Sequence, residues 1–400
     1  MLLVKYFFFV VLCYNSIFVA AVPYLVSLKS TETLDTFFKY DVNYPLSQRV
    51  KALINNSFAI GNFTGFSGDF SKAVLERLKK CPLVADLTPD IIINAFDVGI
   101  QTSSPRHLAR LSQKDKLTGN QFNYYYDTSC TGNGVNAYVL DSGVMIDHPE
   151  FQGRAFKGKD FTKEGFGDTN GHGTHVSGII GSKSYGVSKN VNIVEIKALD
   201  KSGAGSLSTI IAAIEFAVNH RKISGKPGVA NLSLGATKNA VLNRAVDAAF
   251  DTGLVMVVAA GNSNINACTT SPASASSAIT VGAIDDKTDG LATFSNWGEC
   301  VDVFASGTFV ESVNTKDHRY PQVLSGTSMS APIVTGLVSN LLSKGISPFD
   351  VKDHIIEMAS KHKINKASMF LRRKTPNRIV YNRVVQESDL DSDSDSDSDE

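Results

Sequence analysis

Three short segments carry side chains that could cooperate in acyl transfer: Asp141 in YVLDSGV, His172 in NGHGTHVSG and Ser328 in GTSMSAP. A serine hydroxyl is scarcely ionised at neutral pH. It attacks a carbonyl only if a base within hydrogen-bond reach takes its proton and a third group holds that base in one tautomer. Imidazole and carboxylate suit those two tasks, the carboxylate also stabilising the imidazolium as it forms. Any one of these segments alone would pass for an ordinary glycine-punctuated turn. Ser328 is followed by Pro332, Val334, Gly336, Leu337, Val338, Leu341 and Leu342, an apolar stripe at helical spacing. The stripe predicts a helix with Ser328 at its N-terminus and Pro332 tolerated in the first turn. The Ser328 amide would then face any negative charge that develops beside it.

Groups of this kind need a framework to hold them. From about Gly99 to about Asn382, apolar runs alternate with helical ones: VNAYVL, VNIVEIKAL, a helix through TIIAAIEFAVNH, VANLSL, a helix through AVLNRAVDAAF, then LVMVVAA. The fold class this predicts is α/β, a parallel sheet flanked by helices. In such sheets the loops at the carboxyl ends of strands build the site. Asp141 directly follows the first run, Ser233 to Gly235 end the fourth element, and Asn262 follows the last. Upstream, Pro23 to about Asp97 reads as a strand, an interrupted helical stretch to Asn56, strands with turns in FAIGNFTGFSGDF, and an amphipathic helix in SKAVLERLKK that Ser71 can cap. Two strand-like runs in LVADLTPDIIINAF close a module whose element order suits a small ferredoxin-like α/β domain. A chain of 400 residues, 43% hydrophobic, is long enough for both units. Its formal net charge of zero gives no argument for a nucleic-acid partner.

The three segments, in the order Asp, His, Ser, together resemble the subtilisin-like serine proteases, in their proteinase K-like branch. The resemblance runs from about Pro23 to the 340s and implies a secreted serine endopeptidase made as a zymogen. It assigns catalysis to His172, the first histidine of HGTH, and a structural place to His175. It also makes Asn262, in VVAAGNSN, an oxyanion-hole donor beside the Ser328 amide. Gly203, Ala204 and Gly205 resemble one edge, and Ser233, Leu234 and Gly235 the other, between which a peptide substrate adds as a strand. Leu207 would shape an S4 pocket, and Ala259, Ala260 and Gly261 the wall of S1. With small, uncharged residues there, aromatic or aliphatic P1 side chains are expected; strict dibasic cleavage would need a buried carboxylate to pair an arginine. Asp302, in CVDVF, matches a position that binds calcium in relatives, so calcium is a structural ion to test for, and the reaction itself requires no cofactor. Where relatives often carry a cysteine after HGTH, this chain has Val176.

Residues 1–21 run from Lys5 through YFFFVVLCY to Ala20 and Ala21, the pattern of a secretory signal. A retained anchor is the competing reading, but Asn15 and Ser16 interrupt a stretch already short of the roughly 20 residues a span needs. Export permits disulfides. Once Cys13 leaves with the signal, the spacing of Cys81, Cys130, Cys268 and Cys300 leaves three connectivities open. The family resemblance favours Cys268 with Cys300, and leaves Cys81 and Cys130 as free thiols or buried. GFSGDFSKAVLERLKKCPLVADLTPD looks like an inhibitor-type propeptide, so residues 22–98 would chaperone and inhibit a peptidase domain at 99–382, with self-cleavage near 96–102. Residues 383–400 end in DLDSDSDSDSDE, which cannot bury a core and is expected to be disordered. A solubilising tail, one folded back on the basic stretch before it, a phosphorylated one and a loose calcium binder all fit that composition. Asn55, Asn62 and Asn231 satisfy the glycosylation pattern, Asn231 in a strand-like and inaccessible run. The expected protein is a monomer acting on polypeptides, extracellular, at the cell surface or in a lytic vacuole. Its rival is a noncatalytic surface or wall protein that keeps the fold for binding.

Overall fold

A computed structural model describes residues 22–40, 50–90 and 98–384. The signal-like segment, the second strand-like run of the upstream module and the acidic tail lie outside the described residues. The chain divides into two units between Asn94 and Ala95.

The first unit comprises β1 (Val22–Leu28), α1 (Leu34–Tyr40), β2 (Ile54–Ile60), β3 (Phe63–Phe70), α2 (Lys72–Lys79) and β4 (Val84–Pro89). Its strands pair antiparallel in the order β2-β3-β1-β4, the ferredoxin-like arrangement. Ile54 to Asn56, expected at the end of a helical stretch, already belong to β2 because they pair with Gly68 and Ser67 of β3. Ser71 stands at the N-cap of α2 but makes no side-chain cap bond. Burial of Leu75 and Leu78 beside Phe66 and Phe70 holds that helix instead.

Among the described residues, the second unit is built on seven adjacent parallel strands, β7 (Asn136–Asp141), β8 (Ala155–Asp160), β9 (Asn192–Lys197), β10 (Gly228–Leu232), β11 (Val255–Ala259), β12 (Ile279–Asp285) and β13 (Val303–Ser306), with the two-residue strand Arg378–Ile379 added parallel beside β13. Ahead of them, β5 (Val98–Gln101) and β6 (Tyr124–Asp127) form an antiparallel pair, joined through α3 (Arg106–Leu111). The parallel strands lie in the order β13-β12-β11-β10-β7-β9-β8. Two-residue periodicity sends Ala137 and Val139 to one face and Tyr138 and Leu140 to the other. The first face packs on α4 (His172–Gly181) and α7 (Thr327–Ser343). The second packs on α5 (Leu207–Ser224) and α6 (Ala240–Asp251). Strands buried on both sides read as unbroken apolar runs, which is why β7, β9, β10 and β11 were legible; β12 and β13, although equally buried, were not among the runs read. β8 was not, because AFKGKD lies at the sheet edge with Phe156, Lys157 and Lys159 exposed.

From β7 the chain builds β8 and β9 on one side, then returns to build β10 to β13 on the other. The crevice at such a reversal is where open α/β sheets place their sites. Asp141 ends β7 and Ser233 follows β10, its neighbour in the sheet. Cys268 and Cys300 form a disulfide with Cα atoms 5.3 Å apart, clasping the loop after Asn262 to the turn before β13. Cys81 and Cys130 are free thiols, and burial pushes the Cys130 pKa up to about 11.

Candidate active site

Asp141 is fully buried. Its Oδ1 accepts the Ser142 N–H at 2.8 Å and meets His172 Nδ1 at 2.7 Å. A carboxylate can only accept, so Nδ1 carries the proton and Nε2 keeps a lone pair. Gly171, with φ 96°, is the N-cap of α4, and His172 is the first helical residue. A Cβ on Gly173 would enter the Gly143 carbonyl, so only glycine lets this helix approach the turn after Asp141 so closely.

Asp168 fastens the two segments together. Its Oδ2 accepts Thr174 N–H (2.8 Å) and Thr174 Oγ1 (2.7 Å), and its Oδ1 accepts Gly171 N–H (2.8 Å) and Ser142 Oγ (2.9 Å). Ser142 Oγ in turn accepts Gly173 N–H at 3.0 Å. Neither Asp168 nor Ser142 stands out in the sequence reading, although an acidic residue just ahead of a helix is a capping signal that points to Asp168. Burial alone would lower the His172 pKa. The Asp141 charge and hydrogen bond, with the Asp168 charge, outweigh it and raise the pKa.

Ser328 is the second residue of α7, where a backbone N–H has no intrahelical acceptor. Its Oγ donates to Ser233 O at 3.3 Å, and Ser233 Oγ donates to Ser328 O at 2.9 Å. Pro332 accounts for the second bond. It lies inside the helix, one turn beyond Ser328 and not in the first turn as expected, and it has no N–H to give the Ser328 carbonyl. Ser233 Oγ takes that role, held by Asn231 Nδ2 at 2.9 Å, while Asn231 Oδ1 accepts Thr335 Oγ1 at 2.8 Å. Asn231 is thus fully buried and committed to this chain of bonds.

Asn262 Oδ1 accepts Thr327 N–H at 2.8 Å and Thr327 Oγ1 at 2.9 Å. With its oxygen occupied, the amide NH2 remains to donate. The loop is templated by buried Asn296, whose Oδ1 accepts Ser263 and Ile265 N–H, both at 3.1 Å, and whose Nδ2 donates to Ala260 O at 2.8 Å. No local signal marks Asn296, because it lies 33 residues beyond Ser263 in the chain, past β12.

Two cavities meet here. One, of about 530 Å³, is lined by Asp141, His172, Gly203, Ala204, Gly205, Leu207 and Ser233 to Gly235. The other, of about 430 Å³, is lined by Ser233 to Gly235, Ala259, Ala260, Gly261, Asn262 and Ser328. The Ser233 to Gly235 segment is common to both, with His172 lining the first and Ser328 the second. Asp302 lines neither. Its Oδ2 accepts Thr280 N–H at 2.8 Å and pairs with Lys352 Nζ at 3.0 Å. That ammonium already provides the cation, so Asp302 does not fit the calcium-ligand role expected of it. Among the described residues, no group of three or more His, Cys, Asp and Glu side chains could hold a metal.

His175 is fully buried one turn past His172, and its Nε2 contacts both Val310 O (3.2 Å) and Gln322 O (3.0 Å). It therefore ties the hairpin of Val310–Ser312 and Gln322–Leu324 to α4. Burial lowers its pKa to about 4, and burial does the same to His107, whose Nε2 faces Tyr185 O at 2.9 Å. Between pH 6.5 and about 4 the unfolded imidazoles hold protons that the folded ones do not. Stability present above pH 6.5 is therefore lost as the pH falls, on the order of 1.4 kcal/mol per pH unit for each group. Urea midpoints of an inactive chain should drop from pH 7 to pH 4.5, and His107→Leu should flatten that slope; equal slopes in both chains would refute the assignment.

The Subtilase family model matches residues 132–380. This chain belongs to the subtilase family. Over 92% of its length it is 42% identical to subtilase-type proteinase RRT12 of Saccharomyces cerevisiae, matching 84% of that protein. It is 38% identical to cerevisin of the same yeast over 90% of this chain and 59% of cerevisin. A crystal structure of a cold-adapted subtilisin-like serine proteinase superposes with a TM-score of 0.64 at 38% identity, covering 70% of this chain and 98% of the other. The subtilase is a serine endopeptidase with the α/β fold expected of it, and none of its described helices is long and apolar enough to cross a membrane.

Proposed function

We propose that this subtilase is an exported, self-processed zymogen that hydrolyses polypeptides through Asp141, His172 and Ser328. The observation that carries the reading is the 2.7 Å contact between buried Asp141 Oδ1 and His172 Nδ1, which dedicates Nε2 to accepting a proton. As substrate enters, Ser328 Oγ exchanges its bond to Ser233 O for one to His172 Nε2 and attacks the scissile carbonyl. The Ser328 N–H and the Asn262 NH2 receive the oxyanion. Such a donor contributes roughly 3 kcal/mol, the magnitude known for the oxyanion asparagine of subtilisin itself. The imidazolium then protonates the leaving amine, and water repeats the sequence on the acyl-enzyme. Substrate backbone pairs between Gly203 to Gly205 and Ser233 to Gly235, and the P1 side chain enters the cavity walled by Ala259 to Gly261.

Val98 to Gln101 already form a strand with Tyr124 to Asp127. Asp127 pairs with Lys344, just past the end of α7 opposite Ser328. A helix of 17 residues spans about 25 Å, so the strand as placed here lies well away from Ser328. Cleavage near residues 96–102 would free an N-terminus whose place in β5 lies away from Ser328. The first unit serves as chaperone and inhibitor, and residues 1–21 direct export to the cell exterior or a lytic vacuole.

Secreting the native chain beside Ser328→Ala, with sequencing of each N-terminus, tests this. The native product should begin near residues 96–102 and turn over peptides with aromatic or aliphatic P1 at least about tenfold faster than dibasic ones. Cleavage only after paired basic residues would sink the assigned preference. Two full-length, inert products would favour the noncatalytic binding protein.

A further inference from the structure

α8 (Val351–Met358) presents Lys352 on its first turn, and the side chain ends among three oxygens. Lys352 Nζ lies 2.7 Å from Ala278 O, 3.2 Å from Ser276 O and 3.0 Å from Asp302 Oδ2. An ammonium has three N–H donors, and each finds one acceptor. The rest of the fold builds this oxygen cluster without the lysine's help. Asp247 on α6 shapes the turn that presents the two carbonyls, its Oδ1 accepting Ser277 N–H at 3.0 Å and Ser277 Oγ at 2.6 Å. Asp302 is oriented by the Thr280 N–H at 2.8 Å. One carboxylate and two backbone carbonyls form the hard oxygen set that a calcium ion takes, at about 2.3–2.6 Å. Here the oxygens stand at ammonium distances from a nitrogen.

We propose that Lys352 is the resident cation of this site, so that this part of the fold is stable without calcium, and that removing the ammonium uncovers a calcium-binding site. The proposal does not depend on how the chain hydrolyses peptides. Without the lysine, a largely buried carboxylate and two carbonyls converge with no positive partner, which destabilises the fold. Any small cation that enters relieves that repulsion. Monovalent charge also explains why a lysine suffices: it neutralises Asp302, while the two carbonyls need only a hydrogen-bond donor each.

The test uses the full chain in a Ser328→Ala background, which prevents self-digestion. Thermal midpoints are compared in chelator and in about 10 mM calcium chloride, well above the millimolar dissociation constants of weak sites. The midpoint of the chain with Lys352 intact should not change with calcium. Lys352→Met, which keeps the aliphatic stem, should melt on the order of 5 °C lower in chelator and recover most of that loss in calcium. Lys352→Met/Asp302→Asn should show no recovery. A calcium response in the Lys352 chain that disappears in Asp302→Asn would overturn the proposal, since the ion would then already occupy the site. So would a Lys352→Met chain that melts like its parent or ignores calcium. If Lys352→Met accumulates only when calcium is present during folding, that dependence and its loss with Asp302→Asn report the same result.

Discussion

Ser328→Ala is expected to lower kcat on the order of 10⁶-fold, the scale seen when the nucleophile of subtilisin itself is removed, while leaving the fold in place. The hydroxyl makes one bond, to Ser233 O at 3.3 Å, so its structural contribution is about 1 kcal/mol or less. The reciprocal bond from Ser233 Oγ to the Ser328 carbonyl survives the substitution, and α7 keeps its position. The Ser328 N–H and Asn262 remain, so residual turnover above the uncatalysed rate should persist. A Ser328→Ala chain that still hydrolyses peptides at near-native kcat would remove the serine from the reaction. One that loses both activity and its thermal transition would mean that the residue is structural. The informative result is an unchanged melting midpoint beside lost activity.

Asp141→Asn should cost about 10⁴-fold in kcat, as the equivalent change does in serine proteases, and should move the pH profile in a direction set by the geometry. Burial pushes the His172 pKa down, and the Asp141 carboxylate with its hydrogen bond does most to push it back up. The base must be neutral to accept the serine proton, so native kcat/KM should rise through an acid limb at the raised His172 pKa. Replacing the carboxylate by an amide leaves burial the larger influence, and the limb should shift to lower pH. Measuring kcat/KM across pH 5 to 9 for both chains checks this. A variant whose limb does not move, however weak its activity, would show that another group sets it.

Some of this arrangement could be read residue by residue and some could not. Helical spacing after Ser328, apolar runs before Asp141 and Ser233, and glycines at tight turns are short-range features, set by backbone dihedrals and the two periods of regular structure. They suffice to place the acid at a strand end and the nucleophile at a helix start, and the order of the three motifs is a property of the chain alone. What brings Asp141 to His172, or sets Ser233 against Ser328, is the strand order at the β7–β10 reversal, and strand order is a tertiary outcome. The same holds for residues that support the site from a distance: Asn296 beneath the Asn262 loop, and Thr335, which holds Asn231 behind Ser233. A hydrogen bond leaves no trace in sequence when its partners are separated by whole strands and helices. Asp302 shows the limit most plainly. The family resemblance of its motif implies calcium, but a carboxylate's partner is decided by whichever cation the fold delivers to it, and packing α8 beside α7 brings Lys352 there.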